Sequence, residues 1–451
     1  MRQFIVFVVV ILAFSSCQKD EEIGSTVTLN DELTTLLEGA APDGNSSYFQ
    51  MPDENDLASI PQDPKNPLTK EKVELGKLLY HETGIALAPM KEVGKGTYSC
   101  ASCHFAGAGF QAGRWQGIGE GGSGVGVNGE GRVPMLSMYT GEELDVQPVR
   151  SPSAMNGAWQ EATLWNGQFG GTGINEGTEA SWEEYTPKEV NHLGYEGLES
   201  QAIAGLNVHR MHIDDAVVDT LGYKAMFDNA FGELPAEERY NRITAGLAIA
   251  AYERTLLANQ SPFQRWLRGD KTALSEQELE GALVFFDIKQ GNCVSCHTGP
   301  ALNSMTFHAL GMNDLYQISE EVFKSNEFDP SVLGRGGFTG NSEDMYKFKV
   351  PQLYNLADSP FYGHGSSFRS IRSVVEYKNE AVPQKSAVPG SQLASEFSPL
   401  GLTDEEIENL TAFLTTALHD DNLERYVPDA LPSGNCFPFN DPISKNHLGC
   451  N

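Results

Sequence analysis

The chain has 451 residues, enough for two or three domains at roughly 150 residues each. Forty per cent apolar residues exclude a multi-span membrane protein, and 10% aromatic residues argue against wholesale disorder. A formal net charge of −30, from 31 basic and 61 acidic side chains, excludes general nucleic-acid binding and fits attraction of a basic partner.

A basic start at Arg2 precedes an apolar run over residues 4–14. That run is too short to span a bilayer but suits a signal-peptide core. Ser15-Ser16-Cys17 then resembles a lipoprotein signal. The resemblance implies a signal peptide over 1–17, lipidation at Cys17, export to the periplasm or cell surface, and membrane contact through the lipid alone. Residues 18–65 carry many Asp, Glu, Ser and Pro with little periodicity, and read as a tether followed by an N-terminal arm.

Helical spacing first appears over residues 69–80, where Leu75, Leu78 and Leu79 share a face. The first of two chemical motifs follows, Cys100-Ala101-Ser102-Cys103-His104. The loop after it contains Gly117-x-Gly119-x-x-Gly122, formally a dinucleotide fingerprint, but no strand precedes it and nucleotide binding is rejected. Residues 242–257 form an apolar helix that closes a first unit. Ser275-Glu276-Gln277-Glu278 is a capping box opening a helix with Leu279, Leu283 and Phe286. The second motif, Cys293-Val294-Ser295-Cys296-His297, comes next, and Thr403-Asp404-Glu405-Glu406 starts a last helix with Ile407, Leu410 and Leu414.

A bare C-x-x-C serves equally a redox dithiol or half a zinc site. The adjacent His, repeated in both motifs, changes that reading. Two thiols one helical turn apart can form thioethers to haem vinyl groups while the imidazole reaches the iron. Two covalently bound haem c groups are therefore expected, on Cys100, Cys103 and His104 and on Cys293, Cys296 and His297. Alternating strands are scarce, so the fold class is mainly α, with two cytochrome c-like haem domains and long loops. The units run over 66–262 and 263–425. Residues 426–451 form a Pro-broken tail in which Cys436 and Cys450, otherwise unemployed in an exported chain, pair as a disulfide.

From about Leu75 to about Leu418 the chain resembles the bacterial dihaem cytochrome c peroxidases and their MauG-type relatives. The resemblance rests on pieces in order: Leu75-Gly76-Lys77-Leu78-Leu79-Tyr80, the first haem motif, Leu164-Trp165-Asn166-Gly167-Gln168, Leu198-Glu199-Ser200-Gln201-Ala202, residues 261–270, the second haem motif, and Pro360-Phe361-Tyr362-Gly363-His364-Gly365. It implies electron entry at the His297 haem and peroxide chemistry at the His104 haem. It implies also an electron relay at Trp165, Gln201 on the distal side of the first haem, and His364 near the second. Family members are often dimers, which leaves a homodimer open.

Several positions depart from the pattern. The family Glu after the glutamine motif falls at Arg210 or Met211, within Asn207-Val208-His209-Arg210-Met211-His212. His209 or His212 is then the expected proton shuttle, with Arg210 stabilising developing negative charge. A family distal His is absent from the loop over 111–122, where Glu120 stands near its place. Lys378, or Tyr377 beside it, stands where the second haem's sixth ligand is a Met or Tyr, and Met345 and Met312 are the loop alternatives. Arg150 stands where a family Asn binds Ca²⁺, so calcium is left undecided. Three functions follow: a peroxidase reducing hydrogen peroxide to water with electrons from a small cytochrome or copper protein, a MauG-type oxidase of a protein or organic substrate, and a non-enzymatic electron-transfer cytochrome.

Overall fold

A computed structural model describes residues 17–450. The leader and most of the lipoprotein signal lie outside the described residues, and nothing there tests lipidation of Cys17. The described residues hold twelve α-helices joined by long loops and single 3-10 turns. Their only ladders are two two-stranded ones, β1 (Gly122–Ser123) with β2 (Val133–Pro134) and β3 (Phe307–His308) with β4 (Phe348–Lys349). The mainly α expectation therefore holds. No described helix is long and apolar enough to cross a membrane.

The first helix departs from expectation. The segment read as a tether contains α1 (Cys17–Ala40), which packs on a helix near the second haem motif. Leu33 and Leu37 lie one turn apart and are fully buried, worth about 1.5–3 kcal/mol each. Leu29, Leu33, Leu36 and Leu37 recur at helical spacing, a signal outweighed in the sequence reading by the polar and acidic composition around them.

The remaining helices form two similar crossings. In the first, α2 (Lys70–His81) is capped by the Thr69 side chain accepting from the Lys72 N–H. The polypeptide continues through α3 (Gly197–Val208), α4 (Asp215–Thr220) and α5 (Lys224–Ala230) to α6 (Arg242–Arg254). Helix α6 crosses α2 at Gly76, where a Cβ would stand 1.8 Å from the Ala248 carbonyl oxygen. After α7 (Pro262–Leu267), the expected capping box starts α8 (Glu276–Phe286). Two more helices, α9 (Arg335–Thr339) and α10 (Ile371–Glu380), precede α11 (Asp404–Ala412), which opens on the Thr403/Glu406 box. Helices α8 and α11 cross at Gly281, where a Cβ would be 2.0 Å from the Asn409 carbonyl oxygen. Each Cys-x-x-Cys-His motif thus follows a helix whose glycine admits a second helix across it. Both crossings share one hydrophobic cluster that includes Leu75, Leu247, Phe286 and Phe413.

The tail is not a loose end. It carries α12 (Pro442–Leu448) and the Cys436–Cys450 disulfide. It lies on the first haem motif, where the Ser99 and Ser102 hydroxyls donate to the Pro438 carbonyl at 3.2 and 2.8 Å. Thr83 Oγ1 donates to the Cys436 carbonyl, and Arg132 pairs with Asp441 at 3.3 Å.

Candidate functional site

Each Cys-x-x-Cys-His segment makes one 3-10 turn, Cys100–Ser102 and Cys293–Ser295. The His104 and His297 backbone N–H groups donate to the Cys100 and Cys293 carbonyls at 3.1 and 2.9 Å, closing the two turns in the same way. His104 Nδ1 lies 3.2 Å from the Phe110 carbonyl, and His297 Nδ1 lies 3.0 and 3.1 Å from the Leu302 and Pro351 carbonyls. A carbonyl only accepts, so Nδ1 carries the proton in both rings and Nε2 keeps its lone pair. Burial depresses both imidazoles to about 4 and holds them neutral. It also pushes the Cys103 and Cys293 thiols up to about 12.

One cleft, partly open to solvent, is lined by both His104 and His297. Trp165 and Gln201, read from the sequence, stand in the wall of the same cleft. The Trp165 indole N–H donates to the Arg150 carbonyl at 2.8 Å, and its ring meets His364 edge-on at 6.3 Å. His364 in turn stacks on Phe348 and places Nε2 3.0 Å from Asp314.

The residues after Gln201 are arranged differently from the expected distal group. None of His209, Arg210 and His212 lines the cleft, because a carboxylate holds each one elsewhere. His209 Nδ1 lies 3.0 Å from buried Asp145. Burial disfavours the charged ring, but Asp145 outweighs it and the His209 pKa rises. Arg210 pairs with Glu120, so the residues at the family's Glu and loop-His positions bond to each other. His212 is exposed beside Asp214 at 2.9 Å. His209 still acts on His104 through its charge.

Near the second motif the neighbours Tyr377 and Lys378 diverge. The Tyr377 hydroxyl donates to the Leu310 carbonyl at 2.5 Å behind the wall, packed against Phe368 and Phe397. Lys378 lines the cleft, and burial lowers its pKa. Its ammonium makes no hydrogen bond or salt bridge among the described residues, and the Cys293 and Cys296 thiols and Glu396 act on it only through charge. Of the two loop methionines, Met312 reaches the cleft, whereas Met345 packs against Gly336.

Sequence reasoning missed two residues in the same wall. Glu253, on α6, is 9% exposed and faces the cleft, and burial raises its pKa to about 8. Lys349 is 6% exposed, and burial lowers its pKa to about 7. The one signal available for Glu253 was a carboxylate at the end of an otherwise apolar helix face.

The family model described as di-haem cytochrome c peroxidase matches residues 70–272. The methylamine utilization protein MauG of Methylophilus methylotrophus is 29% identical over 376 residues, 81% of this chain and 86% of that protein. Cytochrome c551 peroxidase of Nitrosomonas europaea is 27% identical over 376 residues, 83% of this chain and 88% of that protein. A crystal structure of a MauG-like protein associated with microbial copper homeostasis superposes with a TM-score of 0.55 at 21% identity, covering 87% of this chain and 98% of that one.

A helix-rich chain with paired Cys-x-x-Cys-His turns on one cleft is an oxidoreductase of the haem-peroxidase type. Residues 70–272 match the di-haem cytochrome c peroxidase model, and over about four fifths of its length the chain is similar to MauG and to cytochrome c peroxidases. That similarity implies haem c as cofactor, and the residues present fit it, with two neutral imidazoles fixed by carbonyls beside four thiols outside any disulfide.

Proposed function

We propose that the protein is an exported dihaem peroxidase that reduces hydrogen peroxide to water with electrons from a small cytochrome or copper protein. The observation that carries this reading is the single cleft onto which His104, Trp165 and His297 all open. The reaction, H2O2 with two electrons and two protons to two waters, needs separate routes for each. Haem iron, when bound, supplies the electrons to the oxygen–oxygen bond.

His104 and His297 would hold the two irons through Nε2, the first in the 66–262 unit and the second in the 263–425 unit. Trp165 relays electrons between them. Gln201 orients peroxide from the wall, and the Glu253 carboxyl holds a proton at neutral pH in the same cleft. Glu253 thereby takes the part of the carboxylate replaced by Arg210. His209 and Arg210 act from behind the wall through charges fixed by Asp145 and Glu120. Lys378 rather than Tyr377 would hold the second iron opposite His297, because the Lys378 side chain lines the cleft whereas the Tyr377 hydroxyl is bonded to the Leu310 carbonyl.

A MauG-type oxidase of a protein or organic substrate is the second reading, favoured by the Arg210–Glu120 pair and by the similarity to MauG. The test is to add peroxide to fully reduced holoprotein and follow both haem spectra, with and without a reduced cytochrome. Rapid reoxidation with donor turnover is expected. A long-lived oxidised species without turnover favours the oxidase, and no reaction leaves an electron carrier.

A further inference from the structure

Trp165 is held through the backbones of two residues whose cationic side chains are buried. Its carbonyl accepts from the Lys349 backbone N–H at 2.7 Å, and its indole N–H donates to the Arg150 carbonyl at 2.8 Å. Both cations line the cleft, Arg150 being 2% exposed and Lys349 6%.

Neither has an anionic partner among the described residues. Lys349 Nζ donates to the neutral Gln160 Oε1 at 2.5 Å. The Arg150 guanidinium donates to Gln111 Oε1, Ser359 Oγ and the Arg114 and Ala112 carbonyls, all uncharged. Burial alone moves the Lys349 amine, with no opposing charge. Elsewhere in the same wall the fold does supply a counter-charge, since Lys385 meets Asp314 at 2.5 Å.

A buried ammonium without a counter-charge is expensive, and the cost is removed when an anion enters. The anion must therefore arrive with whatever fills the cleft. Haem c carries two propionate carboxylates, and a lysine point charge suits one of them.

We propose that Lys349 is the counter-ion of a propionate on a bound haem and fixes that carboxylate in the cleft that Trp165 also lines. The proposal rests on the dihaem reading. It makes Lys349 a positioning residue: the cation favours the reduced, less positive iron and so raises that haem's potential.

The test compares wild-type holoprotein with Lys349→Met, Lys349→Arg and Gln160→Ala, reading haem content, both midpoint potentials by spectroelectrochemistry, and the rate of interhaem electron transfer. Lys349→Met is expected to retain both thioether-bound haems, to lower one midpoint potential with the other unmoved, and to slow interhaem transfer. Lys349→Arg restores the potential, and Gln160→Ala leaves it unchanged. Should Lys349→Met fail to mature, Lys349→Gln removes the charge while keeping a hydrogen-bonding side chain, and is read in the same way. Unmoved potentials in the charge-removing variants, or the same shift in Gln160→Ala, would overturn the propionate assignment alone. A wild-type protein carrying no haem c would overturn both it and the dihaem reading.

Discussion

Lys378 and Tyr377 differ by one position, yet one faces the cleft and the other is bonded to Leu310 behind it. Replacing the amine by the softer thioether in Lys378→Met is expected to raise the second haem's midpoint potential and alter its low-spin spectrum. An unchanged spectrum would show that Lys378 is not the ligand. The His209–Asp145 pair gives a pH-dependent prediction. His209 has a raised folded-state pKa, so its stabilisation is present below the ordinary histidine value of 6.5 and is lost as pH rises through the raised one. Asp145 has a lowered pKa, so its share is present above 3.8 and is lost as pH falls through the lowered one. Asp145→Asn should therefore lower the His209 pKa in an NMR titration and narrow the stability gap to wild type as pH rises past neutrality. The Cys-x-x-Cys-His motifs were legible in the sequence because their chemistry is local. Lys349 and Glu253 were not, because their significance lies in facing a cleft without an ion-pair partner. Arg210 and Glu120 looked like two separate losses and are one ion pair in space.

Among the elements, the helices at 70–81, 276–286 and 404–412 followed from caps and apolar spacing that act over a single turn. The crossings between them could not be read that way, since each depends on a glycine meeting a carbonyl far along the chain. Gly76→Ala or Gly281→Ala would drive a methyl group into backbone and separate the helices. A loss of about 1–3 kcal/mol or more is expected in denaturant unfolding of the holoprotein. An unchanged midpoint would mean that the helices shift freely. On the missed helix α1, Leu33→Ala should cost about 2–5 kcal/mol. A neutral result there would restore the view of this segment as a tether.

Across the whole molecule, a charge of −30 acts at longer range than any one contact. Turnover with a basic cytochrome donor should fall as ionic strength rises from about 0.01 M to 0.15 M, where the screening length shrinks from roughly 30 Å to 8 Å. A flat salt profile would place docking on apolar contacts instead. One long connection across the sequence is the tail seated on the first haem motif. Chains emerge N-terminus first, so Ser99 and Ser102 leave the ribosome long before the Pro438 carbonyl they bond. The earlier of the two haem sites in the sequence is therefore the later one to be finished. A nascent chain interrupted after residue 425 would carry every residue of the second site and an unroofed first one. Premature termination should accordingly leave the second motif's turn intact and strip the first of the Pro438 carbonyl to which Ser99 and Ser102 bond.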